Sequence, residues 1–224
     1  MDAANIIESI SLIIAAWAVI FGINAWRREY IGKRRLELAE EVLALFYEAR
    51  DIIAYIRNPF SFAGEGSTRV VNQNETEEET RIYNNAYVVF ERYNKRQELF
   101  NKISSLRYRY MAQFGKNTIQ PFDDLSTIIN EIFTAARMLP FYWKQRSYLS
   151  GRVEEQIQRE QQEIRKLETK FWYQGESDSI TQRVNAVILN IEEQCLKLIS
   201  KPTMSQRITQ LFRKFLGKIT GWIF

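Results

Sequence analysis

The chain has 224 residues, with 31 Lys and Arg against 27 Asp and Glu, a net charge of +4, one cysteine and no histidine. That length suits one domain plus an anchor, and nine Gly with four Pro leave little room for long irregular stretches. The lack of histidine excludes imidazole acid–base chemistry and His-dependent metal sites, and a single cysteine excludes an intrachain disulfide.

Ser9 to Trp26, SISLIIAAWAVIFGINAW, contains no charged residue. With Ile6 and Ile7 in front, it reaches the roughly 20 residues that cross a bilayer as a helix. Trp26 and Tyr30 suit the interface, and Arg27, Arg28, Lys33, Arg34 and Arg35 follow at once, opposed only by Glu29. A secretory signal peptide would carry a basic n-region, a shorter apolar core and a small-residue cleavage site. Here Asp2 and Glu8 precede the run and Trp-Arg-Arg closes it, so the sequence predicts a retained transmembrane helix over 9–26. Positive residues favour the cytoplasmic side. The expected topology is therefore a short extracytoplasmic tail (1–8), one span, and a cytoplasmic helical domain (27–201) in a bacterial inner membrane.

Glu8, Ser11, Ala15, Ala18, Gly22 and Ala25 recur at spacings of three and four and form one narrow stripe. Small residues at that spacing let transmembrane backbones approach closely, so the stripe predicts self-association, with chance occurrence as the plainer alternative. Glu8 stands near the outer end of the span. It either reaches water or, in a ring of subunits, forms an acidic ring at a pore mouth.

Beyond the span the pattern is helical throughout. Leu38, Val42, Leu45, Ala49, Ile52 and Ile56 make a heptad-like seam that stops at Asn58-Pro59, where proline cannot continue a helix. With only Gly32 in between, one helix of about 50 residues is expected to join span and seam. Residues 59–73 read as the longest loop. Glu75, Glu77, Glu78 and Glu79 then crowd a helix start, where acids complement the dipole. Ile82, Ala86, Val89, Tyr93, Phe100, Ile103, Tyr110 and Phe114 read as one continuous seam closed by Gly115. Pro121 opens the third helix with Asp123 and Asp124 in its first turn, and Pro140 should kink or end it. From Arg152 to Tyr173 the seam thins to Val153, Ile157, Ile164, Leu167 and Phe171. Ser179 with Gln182 matches a capping box, and Cys195 falls on the apolar face of the helix it opens.

After Glu193 no acidic residue remains. Residues 202–224 set Met204, Ile208, Leu211, Phe212, Phe215, Leu216, Ile219, Trp222 and Ile223 against Arg207, Arg213, Lys214 and Lys218. Such a pattern describes an amphipathic helix lying in the membrane interface; docking on the protein core is the alternative.

The sequence shows no glycine-rich phosphate loop, metal-ligand spacing or nucleophile–base motif, so no enzyme activity, cofactor or metal is expected. Leu106-Arg-Tyr-Arg-Tyr110 alternates Arg with aromatics as nucleic-acid surfaces do. Neighbouring residues on a helix diverge, however, and no specific nucleic-acid partner is expected. Catalysis by carboxylates or lysine alone would leave no motif.

The opening IIESISLIIAAWAVIFGINAWRREYIGKRR and the helix after it resemble bacterial single-span proteins with a helical cytoplasmic domain, often encoded with antiviral defence genes. The plan is similar to the membrane accessory protein of type VI-B CRISPR systems, understood to form an oligomeric pore. Helical domains linked to such families carry an Arg-x4-6-His nuclease motif, and a chain with no histidine cannot. The resemblance implies an all-α homo-oligomer in contact with lipid that perturbs or perforates the inner membrane when triggered. The competing reading is a membrane-tethered scaffold for a cytoplasmic protein partner.

Overall fold

A computed structural model describes residues 3–146 and 154–199 of the chain. It is all-helical: α1 (Ala3–Ile56), α2 (Glu77–Asn94), α3 (Gln97–Phe114), a 3-10 turn (Lys116–Thr118), α4 (Gln120–Arg146), α5 (Glu154–Phe171) and α6 (Ser179–Ile199), with no strand among the described residues. The chain forms two compact units, one of residues 1–40 and 195 onward, the other of residues 41–194. The 202–224 segment, with Arg207, Phe212, Arg213, Lys214, Phe215, Lys218 and Trp222, lies outside the described residues, as do Gly151 and Val153.

The expected continuity of the apolar run with the seam is there: α1 is one helix of 54 residues, roughly 80 Å long at about 1.5 Å per residue. Gly32 does not interrupt it. Among the described residues, no helix is long and apolar enough to cross a membrane. The described side chains of that region begin at Ser11 and omit Ile13, so the run 9–26 extends beyond them.

In the 41–194 unit every residue of the α1 seam from Val42 to Ile56 is buried, joined by Phe46 and Ile53. Each such side chain taken from water stabilises by about 1.5–3 kcal/mol. Aromatic pairs knit the helices: Phe46 meets Phe122 edge-on at 5.0 Å, and Tyr93 sits 4.8 Å from both Phe100 and Phe133. α4 packs against α2 and α5.

Four expectations need correction. The seam from Ile82 to Phe114 is two helices, broken at Lys95 and Arg96 without Gly or Pro; Arg96 leaves helical geometry at φ −123, ψ 15. Gly115 does close the second, at φ +101, a conformation that favours glycine. Of the two expectations for Pro140, a kink or an end, the end is not met: α4 runs on to Arg146. The cap of α6 is Asp178, not Ser179: the Thr181 amide donates to its Oδ1 at 2.8 Å. Aspartate is among the best N-cap residues, and here it has a second task, described below. At the start of α2 the acids divide their roles. Thr76 and Glu79 form a reciprocal capping box, whereas Glu75 turns back to Arg69.

Candidate functional site

Two features stand out. The first belongs to the unit containing residues 1–40. Leu12, Ile14, Trp17, Val19, Ile20, Phe21, Ile23 and Trp26 are all exposed, Trp17 at 66% and Trp26 at 68%. At 100° per residue these positions leave open only an arc of about 120°, which holds Ser11, Ala15, Ala18, Gly22 and Ala25. A helix that is apolar all round belongs in the interior of a large protein or in a bilayer. Trp17 stacks on Phe21 at 5.3 Å and Trp26 on Tyr30 at 5.8 Å, with the Arg34 guanidinium 4.8 Å from the Tyr30 ring. An aromatic and cationic band therefore follows the apolar segment directly, with Arg27, Arg28, Lys33, Arg34 and Arg35 all exposed.

The small-residue stripe lies along this segment. Ser11, Ala15, Ala18 and Gly22 are exposed and Ala25 is half-buried. Among the described residues, a Cβ added at Gly22 would meet nothing within 4 Å. The side chain of Glu8 lies outside the described ones.

The second feature, in the 41–194 unit, is a pair of buried arginines that the sequence reading missed. Arg57 follows the last residue of α1 and is fully buried. Its Nε donates to the Lys170 carbonyl at 2.9 Å, Nη2 to the Thr169 and Trp172 carbonyls at 2.8 Å each, and Nη1 to both oxygens of Asp178. One guanidinium thus caps the end of α5 and grips the cap residue of α6. In return the Tyr173 amide donates to the Arg57 carbonyl at 2.6 Å. Burial lowers the Arg57 pKa, and Asp178 opposes that effect. Burial would raise the Asp178 carboxyl. The Thr181 and Gln174 amides, the Thr181 hydroxyl and Arg57 outweigh it and hold the group below its usual range.

Arg92 does the same for the other end of the connection. It donates to the carbonyls of Tyr55, Asn58 and Phe60 and to both oxygens of Glu65. Its neighbour Glu91 accepts from the Gly66 amide, the Thr68 hydroxyl and Lys95. Gly66 packs so closely that a Cβ there would stand 2.0 Å from the Asn84 carbonyl oxygen, and its φ is +83. Farther on, Arg69 grips Glu75, whose carboxyl is pulled down to about 2 by that hydrogen bond. The loop is tied at every few residues, yet it holds Phe60, Phe62 and Val70 in solvent at 83%, 79% and 91% exposure. In the sequence the pair shows only as an arginine beside each buried seam, Arg57 next to Ile56 and Arg92 three residues after Val89.

Other chemistry is sparse. A cleft of about 380 Å³ beside the clamp is lined by Arg50, Asp51, Ile53, Tyr173, Glu176 and Thr181, and its charged groups include the Arg50–Asp51 ion pair. Among the described residues, no group of three or more Cys, Asp and Glu could hold a metal ion. Within the Arg-Tyr alternation, Arg107 pairs with Asp123 and lies 5.6 Å from the centre of the exposed Tyr108 ring, whereas Tyr110 is buried. Cys195 is core, donating to the Ala39 carbonyl at 3.4 Å. Comparison with protein-family models, curated proteins and solved structures finds no match to this chain.

Proposed function

We propose that this chain is a non-catalytic, membrane-anchored helical protein that self-associates and perturbs or perforates a bacterial inner membrane when triggered. The observation that carries the reading is the exposure of large apolar side chains from Leu12 to Trp26 on every side of the helix but the small-residue stripe, bordered at once by Trp26, Tyr30 and the arginine cluster. Left in water, each such side chain forfeits about 1.5–3 kcal/mol of burial, and a bilayer or a set of identical neighbours restores it. The basic band supports the cytoplasmic side for everything after Arg27. The open stripe at Ser11, Ala15, Ala18 and Gly22 supports close contact between copies. A ring of such spans would carry Glu8 near its outer mouth and Arg27 and Arg28 near its inner one, where charged rings bias which ions pass.

Membrane potential in cells expressing the chain, with and without the native challenge and beside Glu8→Gln, tests this. A potential that never falls under any condition giving the phenotype removes the pore.

The rigid loop favours the scaffold reading as a second possibility. A loop held by the buried Arg92 and by the Arg69–Glu75 pair, and still presenting Phe60, Phe62 and Val70, is built to keep an apolar surface in place, as an anchored adaptor for a cytoplasmic protein would need. Replacing Phe60 and Phe62 by Ser should then abolish the phenotype while leaving membrane insertion and potential untouched.

A further inference from the structure

Glu78, Arg81, Ile82 and Asn85 of α2 follow one another at spacings of three and four, so they share one face of that helix. Together with Trp143 of α4 and Trp172, just past the end of α5, they line a cleft of about 370 Å³ within the 41–194 unit. That volume lies inside the roughly 300–1,000 Å³ of small-molecule sites. Both indoles are half-buried and held from several directions. The fully buried Phe171 meets Trp143 at 5.8 Å and Trp172 at 4.2 Å, each nearly at a right angle. The Trp143 indole N–H donates to Glu168 at 3.1 Å. The Trp172 amide donates to the Glu168 carbonyl at 2.8 Å, and the Trp172 carbonyl accepts from Arg57 at 2.8 Å. Two large rings are thus fixed in place before any ligand arrives, so binding one forfeits little side-chain freedom.

The α2 wall supplies polar groups that are easily redirected. Arg81 donates from Nη2 to both oxygens of Glu78, at 2.9 and 3.1 Å. Both side chains stand mostly in solvent, where an ion pair contributes little, so the guanidinium can turn to another anion at small cost. Asn85 is exposed, and its amide offers donors and an acceptor side by side.

We propose that this cleft binds an adenine nucleotide, with the base against Trp143 and Trp172, the base edge on Asn85 and the phosphate on Arg81. Each part has its chemical match. Every base has a π-face that stacks on an aromatic ring. An asparagine amide pairs with adenine through two parallel hydrogen bonds. The planar guanidinium fits phosphate oxygens in the same two-point fashion. A quaternary ammonium would also suit the indoles, but it would sit beside Arg81 while Glu78 is already paired. A neutral sugar would leave the guanidinium without an anion. The site lies wholly in the 41–194 unit and does not depend on the anchored reading.

The test titrates the purified full chain in detergent with AMP, adenosine, inorganic phosphate, choline and glucose, followed by calorimetry. AMP should bind, adenosine more weakly, and the other three not measurably. Trp143→Ala should weaken AMP on the order of ten-fold or more. Arg81→Gln should remove the advantage of AMP over adenosine and leave adenosine as before, whereas Asn85→Leu should weaken both. Arg81 and Asn85 are exposed, so these two variants keep the parent's urea midpoint and decide the matter even if Trp143→Ala fails to fold. Absence of AMP binding to the parent chain overturns the proposal. So does AMP binding that is unchanged in Arg81→Gln and Asn85→Leu, choline or glucose bound in preference to AMP, or a single-stranded RNA bound where AMP is not.

Discussion

Arg57 and Asp178 meet at 3.1 Å with their side chains 1% and 0% exposed, and between them they close the end of α1, the end of α5 and the start of α6. Removing one partner of such a pair leaves the other charged and dry, which costs about 3–5 kcal/mol. Asp178→Ala removes the α6 cap as well. The purified chain should lose most of its stability in urea, with α6 first to exchange its amides. A loss under 1 kcal/mol would mean that water reaches Arg57 freely.

Gly66→Ala should release the loop without unfolding the helices. The new Cβ would collide with the Asn84 carbonyl at a φ of +83, and a strained non-glycine residue there costs on the order of 1–3 kcal/mol before the collision is counted. Tryptic cleavage at Arg69, slow in the parent because Glu75 and Asn84 hold that side chain, should become rapid. Unchanged cleavage would show that Glu91 and Arg92 hold the loop by themselves.

Gly22→Leu tests self-association. None of the described residues lies within 4 Å of the added Cβ, so the bundle should melt as before, while close packing between copies is lost. Cross-linking in membranes should show fewer oligomers. Equal oligomer yield would move the interface elsewhere, most directly to Ile157 on the thinly buried α5.

Acid should weaken the 41–194 unit in a definite window. Glu65 is lowered by its hydrogen bond to Arg92, Glu75 by Arg69, Glu91 by Lys95 and Glu131 by Arg183, while Asp178 is lowered despite its burial. Carboxyls with depressed native pKa stabilise the fold above their ordinary range, and that contribution fades as pH falls through the native values. The urea midpoint should hold level down to the ordinary glutamate value of 4.5 and decline below it toward the value of about 2 held by Glu75. A midpoint indifferent to pH in that interval would deny these pairs any net contribution.

The topology is testable by a periplasm-only reporter fused to Phe224. The exposed arginines after Trp26 predict silence; strong activity would reverse the orientation.

The periodic parts of this fold were legible in the sequence because burial imposes a period. Leu38, Val42, Leu45, Ala49, Ile52 and Ile56 repeat as a helix requires, and all are buried. The loop was legible from Pro59 and the glycines that follow. The break at Lys95 and Arg96 was not, since the apolar positions resume in near register on the far side. Nor were the clamps. A charged residue on a seam looks like an interruption until its partners are known, and those of Arg57 lie more than a hundred residues away. Asp178 escaped notice because Ser179 offered an adequate cap from local pattern alone, while the better candidate was chosen by a distant arginine. On the N-terminal side, composition marked the apolar run from Leu12 to Trp26, and the structure adds that its described side chains are exposed, with Ala25 half-buried.

The reach of Arg57 also sets a schedule. Its partners are made 112 to 124 residues after it, which at about 5–20 residues per second is roughly 6–24 s of synthesis. Until Asp178 leaves the ribosome the guanidinium has to stay hydrated, and Ile52, Ile53 and Ile56 beside it cannot be sealed from water. A nascent chain cut short before Asp178 therefore lacks both the carboxylate that Arg57 grips and the cap of α6.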